Sequence, residues 1–461
     1  MIAGPVGFQQ LIPQQTLAGL QQPFRGLPAR VGGRVAAGVA SPMIERAVFD
    51  NGLRLLTESM PDVRSVSLGA WLTRGSRDED AEHPGIAHFV EHMLFKGTTS
   101  RSAEAIAQEV DSLGGHLDAF TAKECAGYYV KVLDEHLPRA LDILSDLLLN
   151  PAFDAREIAR EQKVVVEEIK MVEDTPDDLV FELYTARFWP DHALGRSILG
   201  TAESVRALDA ATLRDYFART YTAGSLVIAA AGHVEAGAVR ELVGQAFGTL
   251  AAGTPPAPAT APEAAAGLLV RDKDLEQSHL CLGTRAYAHD HPDRYVTYVL
   301  NTVLGGSMSS RLFQNVREKR GLAYAVASSL AAYRDVGALT VYAGCDAASV
   351  SEVVDLVVAE LRGMKAAPME ESELRRAKDH LKGSLVLGLE STSSRMSQLA
   401  RSEMYFGRQI DIDETLAALD RVTADDVQRV AADLFANGNL AATVLGPVDG
   451  EGLSESQLDL G

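Results

Sequence analysis

The stretch GIAHFVEHMLFKGT, residues 85–98, carries two histidines four apart, His88 and His92, with Glu91 directly before the second. On an α-helix, side chains at i and i+4 share one face about 6 Å apart, so both imidazoles can turn toward a single ion. Two neutral imidazoles are the start of a zinc site, and an adjacent carboxylate can reach a water held there. A single histidine would read as an ordinary helix-surface residue. The ligand spacing and the neighbouring acid, in a chain with 11 histidines among 461 residues, favour the paired reading.

A catalytic zinc usually takes three protein ligands and keeps one position open, so a third donor is expected on another element. The segment REIAREQKVVVEEIKMVEDTPDD offers Glu161 and Glu168, seven residues or two helical turns apart and therefore on one face, whereas Glu167 lies on a different face. Spacing alone does not choose between the two.

Several elements must hold these residues. Pro84 and Gly85 suit a helix start and Gly97 a helix end, and further helical patterns run over 103–113, 136–149, 155–172 and 177–188. Alternation of apolar and polar residues predicts two strands in RAVFDNGLRLLTESMPDVRSVSLGAWL, joined by a turn at Met60-Pro61-Asp62, and two more in HLDAFTAKECAGYYVKVL. The order of strand, amphipathic helix, Pro-containing break and long helix in YYVKVLDEHLPRALDILSDLLLNPAFDAREIAREQKVVVEEI recurs roughly 210–220 residues later in LTVYAGCDAASVSEVVDLVVAELRGMKAAPMEESELRRAKDHL. The expected fold is α+β: two homologous domains, each a largely antiparallel sheet with helices packed mainly on one face. Expected boundaries are a leader at 1–42, a first domain at 43–250, an Ala/Pro-rich linker at 251–267, a second domain at 268–445 and an acidic tail at 446–461.

Composition excludes several functions. A net charge of -20 and a pI near 5.0 lack the basic footprint of a nucleic-acid binder. No apolar run approaches the roughly 18 residues of a membrane span. Cys125, Cys281 and Cys345 are scattered, without metal or disulfide spacing, and read as small buried thiols. The leader contains no acid and carries Arg25, Arg30 and Arg34; it reads as a transit-like segment, as disordered chain, or as the consequence of a start at Met43.

H-x-x-E-H is the inverzincin signature, the reverse of the thermolysin order. With GIAHFVEHMLFKGT, LDAFTAKE, EQKVVVEEI and ALGRSILG, the chain from about Phe49 to Leu445 resembles the pitrilysin family of zinc peptidases. Its nearest branch is that of the mitochondrial processing peptidase β subunit and its bacterial relatives. The resemblance implies His88, His92 and Glu168 as ligands of one zinc per chain, Glu91 as general base and Glu161 as the acid that orients a ligand imidazole. It also implies an edge strand on which substrate backbone lies across Ala119 and Phe120, although Asp118 stands where the family commonly has Asn. Arg317 and Tyr324, in SSRLFQNVREKRGLAYAV, match the pair that the family presents to the substrate carbonyl from its last domain.

The implied function is a zinc-dependent endopeptidase acting on peptides or unfolded, presequence-like segments. Its setting would be the bacterial cytoplasm, or the mitochondrial matrix if the leader is a transit peptide. Family members of this length pair as a clamshell, so the resemblance implies a homodimer or a heterodimer with an inactive homologue. The alternative is a non-catalytic partner or structural subunit of a processing peptidase or respiratory complex.

Overall fold

In a computed structural model, which describes residues 44–253, 260–447 and 453–461, the chain runs twice through a similar series of elements. The expected leader, residues 254–259 of the linker and residues 448–452 lie outside the described residues. The first series is β1 (Ile44–Val48), β2 (Arg54–Ser59), β3 (Ser65–Leu72), α1 (Ile86–Leu94), α2 (Ala103–Ser112), β4 (His116–Thr121), β5 (Ala126–Leu133), α3 (Leu137–Leu149), α4 (Ala155–Asp174), α5 (Pro176–Phe188), α6 (Ala202–Ala207), α7 (Ala210–Thr220), β6 (Leu226–Gly232) and α8 (Ala236–Phe247). The second is β7 (Gly267–Asp272), β8 (Ser278–Ala286), α9 (Arg294–Leu304), β9 (Ala323–Ala332), β10 (Gly337–Cys345), α10 (Val350–Ala366), α11 (Glu371–Gly388), α12 (Thr392–Phe406), α13 (Ile412–Arg421), α14 (Ala424–Leu434) and β11 (Ala441–Gly446).

The sheets show the duplication strand by strand. The first has the order β1-β2-β6-β3-β5-β4 and the second β7-β11-β8-β10-β9. In each, one pair is parallel (β2 with β6, β7 with β11) and the rest are antiparallel. The turn at Met60-Pro61-Asp62 therefore does not close a hairpin: β6, from the end of the first series, inserts between β2 and β3. By this equivalence β4 and β9 are the outer edges of their sheets.

Local chemistry explains the helix limits. Asp154 caps α4 by accepting from the N–H groups of Arg156 and Glu157, and Pro176 opens α5 where its missing N–H costs nothing. The inner face of α3 buries Leu141, Leu144, Leu147 and Leu148. Each such leucine is worth about 1.5–3 kcal/mol over an exposed one. The three cysteines are buried and unpaired.

The two halves exchange a helix. From the first half, α5 lays Leu179, Val180, Tyr184 and Phe188 against Cys281, Ala338 and Leu445 of the second sheet. From the second half, α12 lays Met396, Leu399 and Ala400 against Leu56, Trp71, Val227 and Ala229 of the first. Each sheet thus has its own helices on one face and a single donated helix on the other. Glu403 of α12 also accepts two bonds from Arg46, at 3.0 and 2.9 Å. A second seam is ionic and buried: Arg77 reaches Glu124 and Asp335, and Arg334 reaches Glu124 and Asp78.

Part of the expected acidic tail lies among the described residues. Residues 453–461 dock on the second half, with Leu458 and Leu460 buried, Arg362 donating to the Asp459 carbonyl and Lys365 to the Gly461 carbonyl.

Candidate metal centre

The site is assembled from α1, α4 and β4. Nearly every side chain of α1 is buried, including Ile86, Phe89, Val90, Met93 and Leu94, so the helix is held on several sides. His88 and His92 stack edge-on with ring centroids 4.5 Å apart. Facing them, α4 buries Ile158, Glu161, Val165 and Glu168. Acids on the inner stripe of an amphipathic helix need partners, because a buried carboxylate is otherwise costly.

Those partners are the histidines. Glu168 Oε2 lies 3.8 Å from His88 Nε2 and 3.6 Å from His92 Nε2, and the donor atoms of the three residues all fall within 4.8 Å of one another. Tetrahedral zinc with bonds near 2.0–2.1 Å separates neighbouring ligand atoms by about 3.4 Å, so the trio fits such an ion after small adjustments. His92 Nε2 and Glu168 Oε1 are moreover buried without a hydrogen-bond partner. Buried donor atoms that converge without hydrogen-bond partners suit a cation held between them.

Glu161 stands behind this trio. Its Oε1 is 2.9 Å from His92 Nδ1 and its Oε2 2.7 Å from Lys96 Nζ. A proton on Nδ1 shared with Glu161 leaves Nε2 free as a donor to metal. Burial pushes the Glu161 carboxyl up, but the bonds from His92 and Lys96 outweigh it and hold the group below the usual carboxylate range. For His92, burial lowers the pKa but is outweighed by the bond to Glu161 together with the charges of Glu168, Glu91 and Glu161, so the pKa is raised; burial beside His92 lowers that of His88.

Glu91 is buried and accepts a 2.5 Å hydrogen bond from the Thr121 hydroxyl. Burial raises its carboxyl to about 7. Thr121 ends the edge strand β4, so acid and strand are tied to each other directly.

The other expected residues divide. Ala119 packs toward the core that includes α1, on the same strand face as Thr121, whereas Phe120 faces the α12 side against Trp71 and its neighbours. Of the two, only Ala119 points its side chain to the metal side. Arg317 and Tyr324 come together with each other, and among the described residues no hydrogen bond or ion pair joins either to His88, His92 or Glu168. The Arg317 guanidinium lies 4.7 Å from the Phe313 ring centre and 4.9 Å from that of Tyr324, and Tyr324 is 80% exposed. Arg317 rides on a π-helical turn, Phe313–Glu318, a rare geometry frequent at functional sites. Tyr324 begins β9, while Arg334, just beyond its far end, meets the first half; ten residues of strand span about 30 Å.

Lys96 and Thr121, unassigned from the sequence, both touch the site. Their only signal is membership of the segments GIAHFVEHMLFKGT and LDAFTAKE.

Comparison with known proteins identifies the family. Residues 54–202 match the family described as insulinase (peptidase family M16), and residues 207–381 match the peptidase M16 inactive domain. The chain is 42% identical to the uncharacterized zinc protease YmxG of Bacillus subtilis over 85% of its own length and 96% of that protein. It is also 42% identical to the uncharacterized zinc protease Rv2782c of Mycobacterium tuberculosis, over 91% and 96%. Among solved structures, a protease from Helicobacter pylori superposes with a TM-score of 0.81 at 21% identity, covering 88% of this chain and 99% of that one. A peptidase M16 inactive domain from Pseudomonas fluorescens reaches 0.83 at 23%, covering 88% and 98%; at such identities these two speak for the fold alone. The paired sheets, the H-x-x-E-H helix and relatives matched over nearly their whole length have one origin: the chain belongs to peptidase family M16, the insulinase family.

Proposed function

We propose that the chain is a zinc-dependent endopeptidase that cuts peptides and unfolded segments, with His88, His92 and Glu168 holding one zinc ion. The observation that carries this reading is the convergence of three buried donors beside a buried acid, with the outer nitrogen of His92 already bonded to Glu161. The relatives' description as zinc proteases supports it. When bound, zinc supplies Lewis acidity and a hydrolytic nucleophile at neutral pH.

The chain's own residues do the rest. Substrate backbone pairs with the free edge of β4, which selects extended segments and refuses chains whose backbone groups are already bonded. Glu91, held by Thr121 at the end of that strand, takes a proton from the attacking water on its carboxylate and returns it to the leaving amine. Glu161 keeps the proton of His92 on Nδ1. Arg317 and Tyr324, exposed and stacked, serve the substrate carbonyl of a second chain in a two-fold clamshell, where donors near a developing oxyanion are worth most. A different, inactive homologue in the second position is the variant assembly. The non-catalytic reading is not favoured, because the metal-binding group is complete. Family resemblance and bacterial relatives together suit a bacterial cytoplasmic enzyme.

The direct test is a mixed peptide library incubated with purified protein, with and without chelator, and mapped by mass spectrometry. Internal cuts that vanish with chelator and return with zinc are expected. A chelator-insensitive or absent cleavage pattern from zinc-loaded protein would overturn the proposal.

A further inference from the structure

The segment ALGRSILG and the loop before α1 have no part in the chemistry above, yet they converge on the start of the helix that carries His88, Glu91 and His92. The residue at the N-cap position of α1 is Gly85, in the left-handed region at φ +90°, and it supplies no side-chain cap. Capping comes instead from six residues upstream. Glu79, 6% exposed, accepts from the Gly85 N–H through Oε2 at 2.9 Å and from the Ala87 N–H through Oε1 at 2.8 Å. A carboxylate using both oxygens on the first N–H groups of a helix, with the helix dipole favouring its charge, is a stronger and more directional hold than a serine cap.

The clamp is itself braced. Lys123, from the loop after β4, donates to the carbonyl of Arg196; burial raises the Glu79 carboxyl to about 7, while the two backbone bonds and the Arg196 and Lys123 charges act in the opposite direction. Ser204 donates to the Pro84 carbonyl at 2.8 Å. Backbone meets backbone here: a Cβ on Gly85 would lie 2.6 Å from the Leu199 carbonyl, and one on Gly200 would lie 2.3 Å from that of Pro84. Three loops, 75–85, 121–126 and 193–200, are thereby locked around one helix end.

We infer that Glu79 is a positioning residue of the peptidase: by holding the Gly85 and Ala87 peptides it sets the axial position and roll of α1, and so where His88 and Glu91 stand relative to His92, Glu168 and β4. Glu79 touches neither the metal group nor the substrate edge. Its loss should therefore act on the chemical step while leaving binding of extended peptide to β4 nearly intact.

The inference rests on the zinc-peptidase reading, and two readouts separate the failure of one from the failure of the other. In zinc-loaded protein, Glu79→Gln presents an amide N–H₂ to one of two donors; kcat should fall between about tenfold and a hundredfold, as for a small misplacement of a reacting group, with KM nearly unchanged. In cobalt-substituted protein, which requires no peptidase activity, the visible ligand-field bands should shift in position or intensity. Val243→Ala opens a cavity under α8, which packs on α3 and β2 and takes no part in the three clamped loops; it controls for stability and should change neither readout. If Glu79→Gln does not fold, Glu79→Asp, which keeps the charge but has the shorter reach, takes its place with the same measurements. Wild-type kcat together with a wild-type cobalt spectrum in a folded Glu79 variant would overturn the inference, as would the same changes in Val243→Ala. An unchanged spectrum beside a KM effect alone would also sink it.

Discussion

At the scale of residues, the division of labour between Glu91 and the three donors makes a sharp prediction. His88→Ala, His92→Ala and Glu168→Gln each remove a donor and should lower zinc content measured by elemental analysis. Glu91→Gln should keep wild-type zinc while turnover falls by at least about 10²-fold, the scale of a lost general base. Glu161→Gln should lie between, with zinc affinity reduced on the order of 10–100-fold because the imidazole of His92 loses its anchor. Metal loss in Glu91→Gln would contradict the assignment. The two histidines, Glu91 and the acids of α4 are legible in the sequence because helical spacing alone puts them on common faces. Thr121 and Lys96 are not, since their contacts with Glu91 and Glu161 join elements whose packing no local pattern encodes. Phe120 shows the same limit: alternation says that it and Ala119 face opposite ways, but only the packed sheet says which of them faces α1.

At the scale of elements, helix limits follow from the sequence to within a residue or two, as with α3 expected over 136–149 and found at Leu137–Leu149. Strand order does not, because β6 enters between β2 and β3 from the far end of the first half, and helix exchange is equally hidden. An amphipathic α12 must be buried on one side, yet its periodicity is silent about whose sheet it covers. That exchange brings a titratable group into an apolar seam. His289, in the loop after β8, stacks on Tyr405 of α12 with ring centroids 3.9 Å apart, and burial, aided by the Arg401 charge, lowers its pKa to about 3. The folded state then binds fewer protons than the unfolded one, in which histidine titrates near 6.5, so stability falls as pH drops from about 6.5 toward 3. At about 1.4 kcal/mol per unit, on the order of 2–3 kcal/mol is lost by pH 4.5. His289→Phe keeps an aromatic ring without the titration. Melting curves across this range should fall less steeply for the variant than for wild type; parallel slopes would remove His289 from the account.

At the scale of the whole molecule, the duplicated halves have diverged into complementary parts. The first keeps H-x-x-E-H on α1 and the candidate ligand Glu168 on α4; the second has no such motif and instead exposes Tyr324, with Arg317 over its ring, at the start of β9, the edge equivalent to β4. Within one chain the halves meet through Glu124, Arg77, Arg334 and Asp335, at the end of β9 opposite to Tyr324. A donor pair at the end of β9 remote from the seam could serve a second chain. If two copies form a two-fold clamshell, each site needs a sound metal half from one chain and a sound donor half from the other. Glu91→Gln and Tyr324→Phe homodimers should both be severely impaired. In a mixed dimer, the metal half of the Tyr324→Phe chain faces the Tyr324 of the Glu91→Gln chain, which restores one wild-type site and leaves the other doubly defective. Random reassociation of equal amounts makes about half the dimers mixed, so activity should recover to about a quarter of wild type. The measurement is peptide turnover after co-refolding, with mixed dimers verified by two different affinity tags. Verified mixed dimers that stay inactive would place the complete site within a single chain, and Arg317 and Tyr324 would then need a role on the outside of the enzyme.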